Sequence, residues 1–112
     1  MTDAPLSFIV AGGGIGGLAA ALVLARQGHT VAVLEQAEAL GEIGAGIQLG
    51  PNVFRLFDHL GLAAAIRDVA YFPPNLVMRD VRSGELVVRS AVGEHALATY
   101  RQPYGVIYRA DL

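Results

Sequence analysis

The sequence predicts an α/β fold that opens on a strand, helix, strand unit and then changes to antiparallel strands. Three observations carry this. An apolar run, Ser7 to Ala11, ends in a glycine cluster that leads into a long stretch of helix formers. A second apolar run, Val31-Ala32-Val33-Leu34, follows and ends in the acid Glu35. Much later, two valine- and leucine-rich runs flank Ser83-Gly84, which reads as a β-hairpin.

The glycine cluster is the most informative stretch. Gly12, Gly14 and Gly17 satisfy G-x-G-x-x-G within Gly12-Gly13-Gly14-Ile15-Gly16-Gly17. The first glycine lets the chain turn sharply off a strand, the second leaves room for a pyrophosphate at the backbone, and the third lets the helix pack close to the sheet. Phosphates would sit at the helix N-terminus, where unpaired N–H groups and the positive dipole end favour anions. The context supports a Rossmann-like reading. A strand precedes the cluster, and a helix from Ile15 to Arg26 follows, with four alanines and four leucine or valine residues. Glu35 then falls about 20 residues on, where a carboxylate accepts hydrogen bonds from a ribose. Gly28 is placed to end the helix, and His29 is expected in a solvent-facing loop. The second strand, Thr30 to Glu35, is apolar throughout, as expected of a strand buried on both faces.

A second glycine-rich stretch runs from Glu42 to Asn52. Gly44, Gly46 and Gly50 exclude a helix interior, since each would cost about 1 kcal/mol there. Backbone passing close to a ligand or to another chain segment, and an ordinary flexible loop, are equally good readings of it. Ile47-Gln48-Leu49 fits a short strand, from which the Gln48 amide would face a flat polar ligand. Pro51 suits a first helical turn. Val53, Leu56, Phe57 and Leu60 then mark one apolar face, and Gly61 closes the helix. Leu62, Ala65, Ile66 and Val69 repeat the spacing for a second short helix. His59 falls on the polar side of the first. Tyr71-Phe72-Pro73-Pro74-Asn75 breaks the helical pattern. The hairpin arms are Leu76 to Arg82 and Glu85 to Ser90, and Arg79, Asp80, Arg82, Glu85 and Arg89 read as a wet face or turn. Val92 to Gln102 is ambiguous, and its His95 has no evident chemical partner. Gly105 to Tyr108 is a last short strand, and Arg109 to Leu112 a turn into a further helix. Arg109 reads equally as a phosphate or flavin contact and as a surface charge.

Composition narrows the classes. At 112 residues there is room for one small domain, and 54% of the residues are hydrophobic against 16% charged. The formal net charge is -2, and the scattered arginines form no basic stripe for nucleic acid. The absence of cysteine rules out a disulfide, a thiolate metal site and a cysteine nucleophile, and fits a cytoplasmic protein. Asp3 stands where a secretory signal would be basic, and no apolar run approaches the ~20 residues that span a bilayer. A dinucleotide-binding sheet normally has more strands than these, and Asp111-Leu112 falls where a new element starts. The chain is therefore expected to be a fragment of a larger two-domain fold.

Three separated signatures resemble the single-component flavoprotein aromatic hydroxylases, the group of 3-hydroxybenzoate 6-hydroxylase, salicylate hydroxylase and 6-hydroxynicotinate 3-monooxygenase. They are Ala11 to Gly17, then Gly44-Ala45-Gly46-Ile47-Gln48-Leu49-Gly50-Pro51-Asn52, then Tyr108-Arg109-Ala110-Asp111-Leu112. The resemblance implies FAD as the bound cofactor. Gly12, Gly14, Ile15, Gly16 and Gly17 would take its pyrophosphate, and Glu35 with Gln36 the adenosine ribose. The Gly44 to Leu49 loop would lie along the flavin, with Gly46 and Gln48 as its cofactor-binding residues and Gln48 near the isoalloxazine, and Arg109 would contact FAD, with Asp111 fixing its turn. Several relatives carry histidine where Gln48 stands. Glutamine is no base, so Gln48 is assigned positioning only, and no catalytic residue is assigned within the chain. Tyr108 also replaces a common histidine of the third signature.

The implied organisation is an FAD-binding part at 1–75, the start of a substrate-domain sheet at 76–103, and a return to the FAD-binding domain at 104–112. The implied reaction is hydroxylation of a phenolic aromatic acid, 3-hydroxybenzoate-like or salicylate-like. It uses NADH or NADPH and dioxygen through a flavin hydroperoxide. The fragment alone is expected to bind FAD without turning over. Two alternatives stand beside this reading, an NAD-dependent dehydrogenase and a non-catalytic dinucleotide-binding domain. Substrate identity, NADH against NADPH and oligomeric state stay open, a homodimer among the options.

Overall fold

The computed structural model describes residues 4–39 and 44–112. The first three residues, and Glu42 and Ile43 of the second glycine stretch, lie outside the described residues. The chain forms two compact units, Met1–Ile43 and Gly44–Leu112.

In the first unit, β1 (Ser7–Ala11) and β2 (Thr30–Leu34) flank α1 (Ile15–Arg26). The strands pair in parallel, from Ser7 against Thr30 to Ala11 against Leu34. The ladder runs one step further, with the Gly12 N–H donating to the Leu34 carbonyl at 2.7 Å. α1 closes in a Schellman motif: the Gly28 N–H reaches the Ala25 carbonyl and the His29 N–H that of Leu24. His29 stands in the loop as expected, but half-buried and not fully solvent-facing. Its Nδ1 accepts the Leu6 N–H at 3.3 Å, and its ring lies against Phe8 with centroids 5.1 Å apart. It pins the lead-in of β1 to the start of β2.

β2 is not buried on both faces. Leu34 is 59% exposed, Ile9 of β1 is 74% exposed, and no residue of α1 is buried. Two strands and one helix cannot cover both faces of a parallel ladder, so the apolar character of β2 is met only in part within this unit.

The second unit holds the core. β3 (Gly46–Leu49) leads into α2 (Pro51–His59) and α3 (Ala63–Val69). A hairpin of β4 (Leu76–Arg79) and β5 (Leu86–Ser90) follows, then α4 (Val92–Tyr100), β6 (Gly105–Tyr108) and a 3-10 turn, Arg109–Asp111. β3 and β6 pair antiparallel. Leu49, Phe54, Phe57, Ile66 and Ile107 form the buried cluster, with Ile47, Val53, Leu62, Ala63, Ala70 and Leu112 packed around it.

The inward face of α2 departs from the expected one at one position, with Phe57 and Leu60 buried and Val53 packed on the core as expected. Phe54 is fully buried, whereas Leu56 is half exposed. The Phe54 ring meets Phe57 edge-on at 5.8 Å and Phe72 at 5.7 Å. In α3 only Ile66 is buried and Val69 is half exposed. The helices turn their aromatic edge inward because β6, far along the chain, supplies the surface it packs on.

Two other segments are sharper than the sequence suggests. The hairpin arms are shorter than expected, because the Asp80 carboxylate takes the Arg82 and Ser83 N–H groups at 2.9 and 2.8 Å and bends the chain into a turn. These N–H groups, Ser83 first, hold the Asp80 carboxyl below the ordinary carboxylate range. Val92 to Tyr100, ambiguous in sequence, is helical and buries Ala96. Its end is tied to α2: the Arg55 guanidinium donates to the Tyr100 carbonyl at 3.3 Å, and the Gln102 amide to the Asp58 carboxylate at 2.5 Å. His95, which lacked an evident partner, lies within 3.5 Å of the Thr99 hydroxyl and edge-on to Tyr100. His59 is exposed, with Nδ1 2.8 Å from the Arg55 carbonyl. Among the described residues no helix is long and apolar enough to cross a membrane.

Phe54→Ala should therefore lower unfolding stability by about 3–5 kcal/mol, and Leu56→Ala by no more than about 1 kcal/mol. Urea unfolding of the two variants separates the observed helix face from the expected one.

Candidate functional site

The sequence-predicted site residues fall into two groups, one in each unit. In the first, the chain leaves β1 at Gly12 and enters α1 at Gly14, its N-cap. The turn is tight inside and open outside. A Cβ on Gly17 would overlap the Gly12 carbonyl oxygen and crowd the Val10 side chain, so only glycine lets α1 start this close to β1. A Cβ on Gly14 or Gly16 would meet nothing within 4 Å. That open side is where a pyrophosphate would approach. The Leu18 N–H is the first of α1 to find a helical carbonyl, that of Gly14. The N–H groups of Ile15, Gly16 and Gly17 precede it, with no side-chain cap and no acid in the first turn. Such a helix start suits an anion.

Glu35 does more than end β2. One carboxylate oxygen accepts the Gly13 N–H at 2.7 Å and the other the Ala37 N–H at 2.9 Å. The side chain thus spans from its own loop to the glycine turn. Its carboxyl lies below the ordinary carboxylate range, held there first by the Ala37 N–H, then by that of Gly13, against a smaller desolvation penalty. Each oxygen keeps a further lone pair for a ribose hydroxyl. The Gly13 N–H is already used, so an incoming phosphate is left the groups at the start of α1. Gln36 is exposed beside it.

In the second unit the β3–β6 ladder builds the other group. Gly46 stands opposite Tyr108, Ile47 opposite Ile107, Gln48 opposite Val106 and Leu49 opposite Gly105. Side chains alternate along a strand, so Ile47, Leu49 and Ile107 go to the core. Gly46, Gln48, Val106 and Tyr108 share the other face, where Gly46, Gln48 and Tyr108 are exposed. Just past the ladder, the Arg109 N–H donates to the Ala45 carbonyl at 3.3 Å, and the Arg109 stem lies over Gly44. The second and third signatures, far apart in sequence, are one structural element here. The sequence placed Gly44 and Ala45 in the loop along the flavin but did not show that both meet Arg109. Both stand in a glycine stretch that only the β6 pairing brings to Arg109.

A strand, a glycine turn, an uncapped helix and a strand-end carboxylate define a dinucleotide-binding protein. The chain belongs to the FAD binding domain family, whose model matches residues 6–107. It is 53% identical to 3-hydroxybenzoate 6-hydroxylase of Polaromonas naphthalenivorans, a match covering 100% of the chain and 28% of that protein. It is 36% identical to 6-hydroxynicotinate 3-monooxygenase of Bordetella bronchiseptica, over 91% of the chain and 27% of that protein. Among solved structures, Klebsiella pneumoniae HpxO complexed with FAD and uric acid superposes with a TM-score of 0.81 at 28% identity. That match covers 99% of this chain and 27% of HpxO. The chain thus spans little more than a quarter of the length of the relatives it matches. The open side of the glycine turn, the free helix start and the Glu35 carboxylate fit the diphosphate and ribose of FAD.

Gly17→Ala should abolish measurable FAD binding, because the methyl group cannot coexist with the Gly12 carbonyl. A flavin-fluorescence titration checks this. The Glu35 tie has a pH signature. Its folded-state pKa is depressed, so it stabilises the turn above the unfolded-state pKa and is lost as pH falls through the folded value. FAD affinity should hold from neutral into mildly acid solution and fall only below the ordinary carboxylate range. Glu35→Gln should bind about tenfold more weakly with no such acid limb, as titrations across pH would show.

Proposed function

We propose that this chain supplies the FAD-binding part of a monooxygenase that hydroxylates a phenolic aromatic acid, 3-hydroxybenzoate-like or salicylate-like. The observation that carries the reading is the β3–β6 ladder, which sets Gly46 and Gln48 on one exposed face beside Arg109. A dehydrogenase built on successive βαβ units has no use for such an antiparallel element. The identity to 3-hydroxybenzoate 6-hydroxylase along the whole chain supports the substrate class.

In this reading Gly12, Gly14, Ile15, Gly16 and Gly17 hold the pyrophosphate through backbone N–H groups and open space. Glu35 and Gln36 hold the adenosine ribose. Gly46 gives the flavin ring a flat approach, Gln48 orients it or the substrate by its amide, and Arg109 offsets negative charge on the cofactor. Gln48 neither takes nor gives a proton at neutral pH, so it positions and does not act as a base. When bound, FAD supplies dioxygen activation at the expense of NADH or NADPH. Residues that grip the aromatic substrate come from sequence beyond these 112 residues, which by themselves bind FAD without turning over. The pyridine nucleotide pool it draws on, and a chain free of cysteine, support a cytoplasmic location.

Parallel fluorescence titrations with FAD and NAD test the first half. Saturable binding of FAD and not NAD is expected, and preference for NAD would overturn the proposal in favour of a dehydrogenase. The second half is checked in the full-length protein by NAD(P)H oxidation and product analysis with 3-hydroxybenzoate and salicylate. Hydroxylated product from one of them is expected. Flavin binding with no oxygen transfer to any phenolic acid would reject the substrate class.

A further inference from the structure

We propose that Gly44 is the positioning residue for Arg109, and that the two act as a single element of the flavin site. The inference rests on the flavin reading above, in which Arg109 contacts FAD. Gly44 has φ +150°, a region that side-chain-bearing residues rarely adopt. A Cβ there would lie 2.7 Å from Arg109 Cδ, 3.2 Å from its Cβ and 3.5 Å from its Cγ. The arginine stem thus runs across the bare face of the glycine from its root to its fourth carbon. The Arg109 backbone is held as well, by its N–H bond to the Ala45 carbonyl.

Core packing does not explain this contact. Gly44 and Arg109 are both exposed and neither belongs to the buried cluster. At an exposed position a missing side chain saves no room for the core. What it provides here is room for the arginine stem to cross the backbone at this point. Ordering that side chain before the ligand arrives removes part of the entropy cost of binding. Gly44 therefore sets where the guanidinium stands without touching the cofactor, and the second glycine stretch acts on FAD partly through an arginine at the other end of the unit.

A double-mutant cycle on the intact protein tests this. FAD affinity is measured by flavin fluorescence for wild type, Gly44→Ala, Arg109→Ala and the double variant, with a thermal melt of each. Each single variant should bind FAD about tenfold more weakly, and the double variant should match Arg109→Ala within about twofold. A full additional penalty from Gly44→Ala in the Arg109→Ala background would overturn the proposal. So would wild-type affinity in either single variant. If Gly44→Ala fails to fold while the double variant folds, the clash with the stem is confirmed. If neither folds, residue 44 serves the backbone alone and the proposal falls. Absence of FAD binding by the wild type would instead reject the flavin reading on which the proposal stands.

Discussion

The antiparallel pairing of Gly46–Leu49 with Gly105–Tyr108 is the constraint on which the rest of the second unit depends. One face of this short ladder supplies Leu49 and Ile107 to the core, and the helices orient Phe54, Phe57 and Ile66 against it. The other face presents Gly46 and Gln48 outward, with Arg109 arriving at its end. Core and site are thus two sides of one ladder. A one-residue slip would exchange them, sending Gln48 inward and Leu49 to solvent. The buried cluster fixes the register, and the register places the site.

The first unit solves a different problem with backbone chemistry. Its turn is shaped by the close approach of Gly17 to Gly12, and it is held from outside by Glu35. The Glu35 carboxylate accepts the Gly13 N–H at the turn and the Ala37 N–H of its own loop, and so ties the strand end to the glycine turn. The unit achieves this while leaving much of its apolar surface exposed, so its local geometry comes from hydrogen bonds and steric contact more than from burial.

Much of this was legible in the sequence. The bounds of β1 and α1, the short strand through Gln48, the two helices after Pro51, the hairpin and the last strand follow from periodicity and from glycine and proline placement. The FAD binding family and its hydroxylase relatives agree with the three signatures. What could not be read was set by distant partners. Of the stripe Val53, Leu56, Phe57, Leu60, only Leu56 stays outside, and Phe54 takes its place inside because its ring packs where β6 runs. His29 is a loop residue as read, and its contact was not legible because the partner, the Leu6 N–H, is a backbone group with no sequence signature. Val92 to Gln102 mixes helix formers with Gly93 and Thr99, and its helix is confirmed by ties to Arg55 and Asp58. The glycine fingerprint was visible, whereas the seat at Gly44 required knowing that Arg109 lies over it.

The separation between β3 and β6 also has a consequence for synthesis. Translation adds about 5–20 residues per second, so β3 leaves the ribosome several seconds before its partner strand exists. During that interval Ile47 and Leu49 have no ladder to join, and Phe54 and Phe57 have no complete surface to cover. The β4–β5 hairpin, whose turn is closed by the local Asp80 bonds, needs no such wait, since hairpins form in about 1–10 μs. Folding of the nascent chain is thus ordered, with a local hairpin first and the long-range ladder last. The exposed face that carries Gly46 and Gln48 is assembled only when β6 emerges.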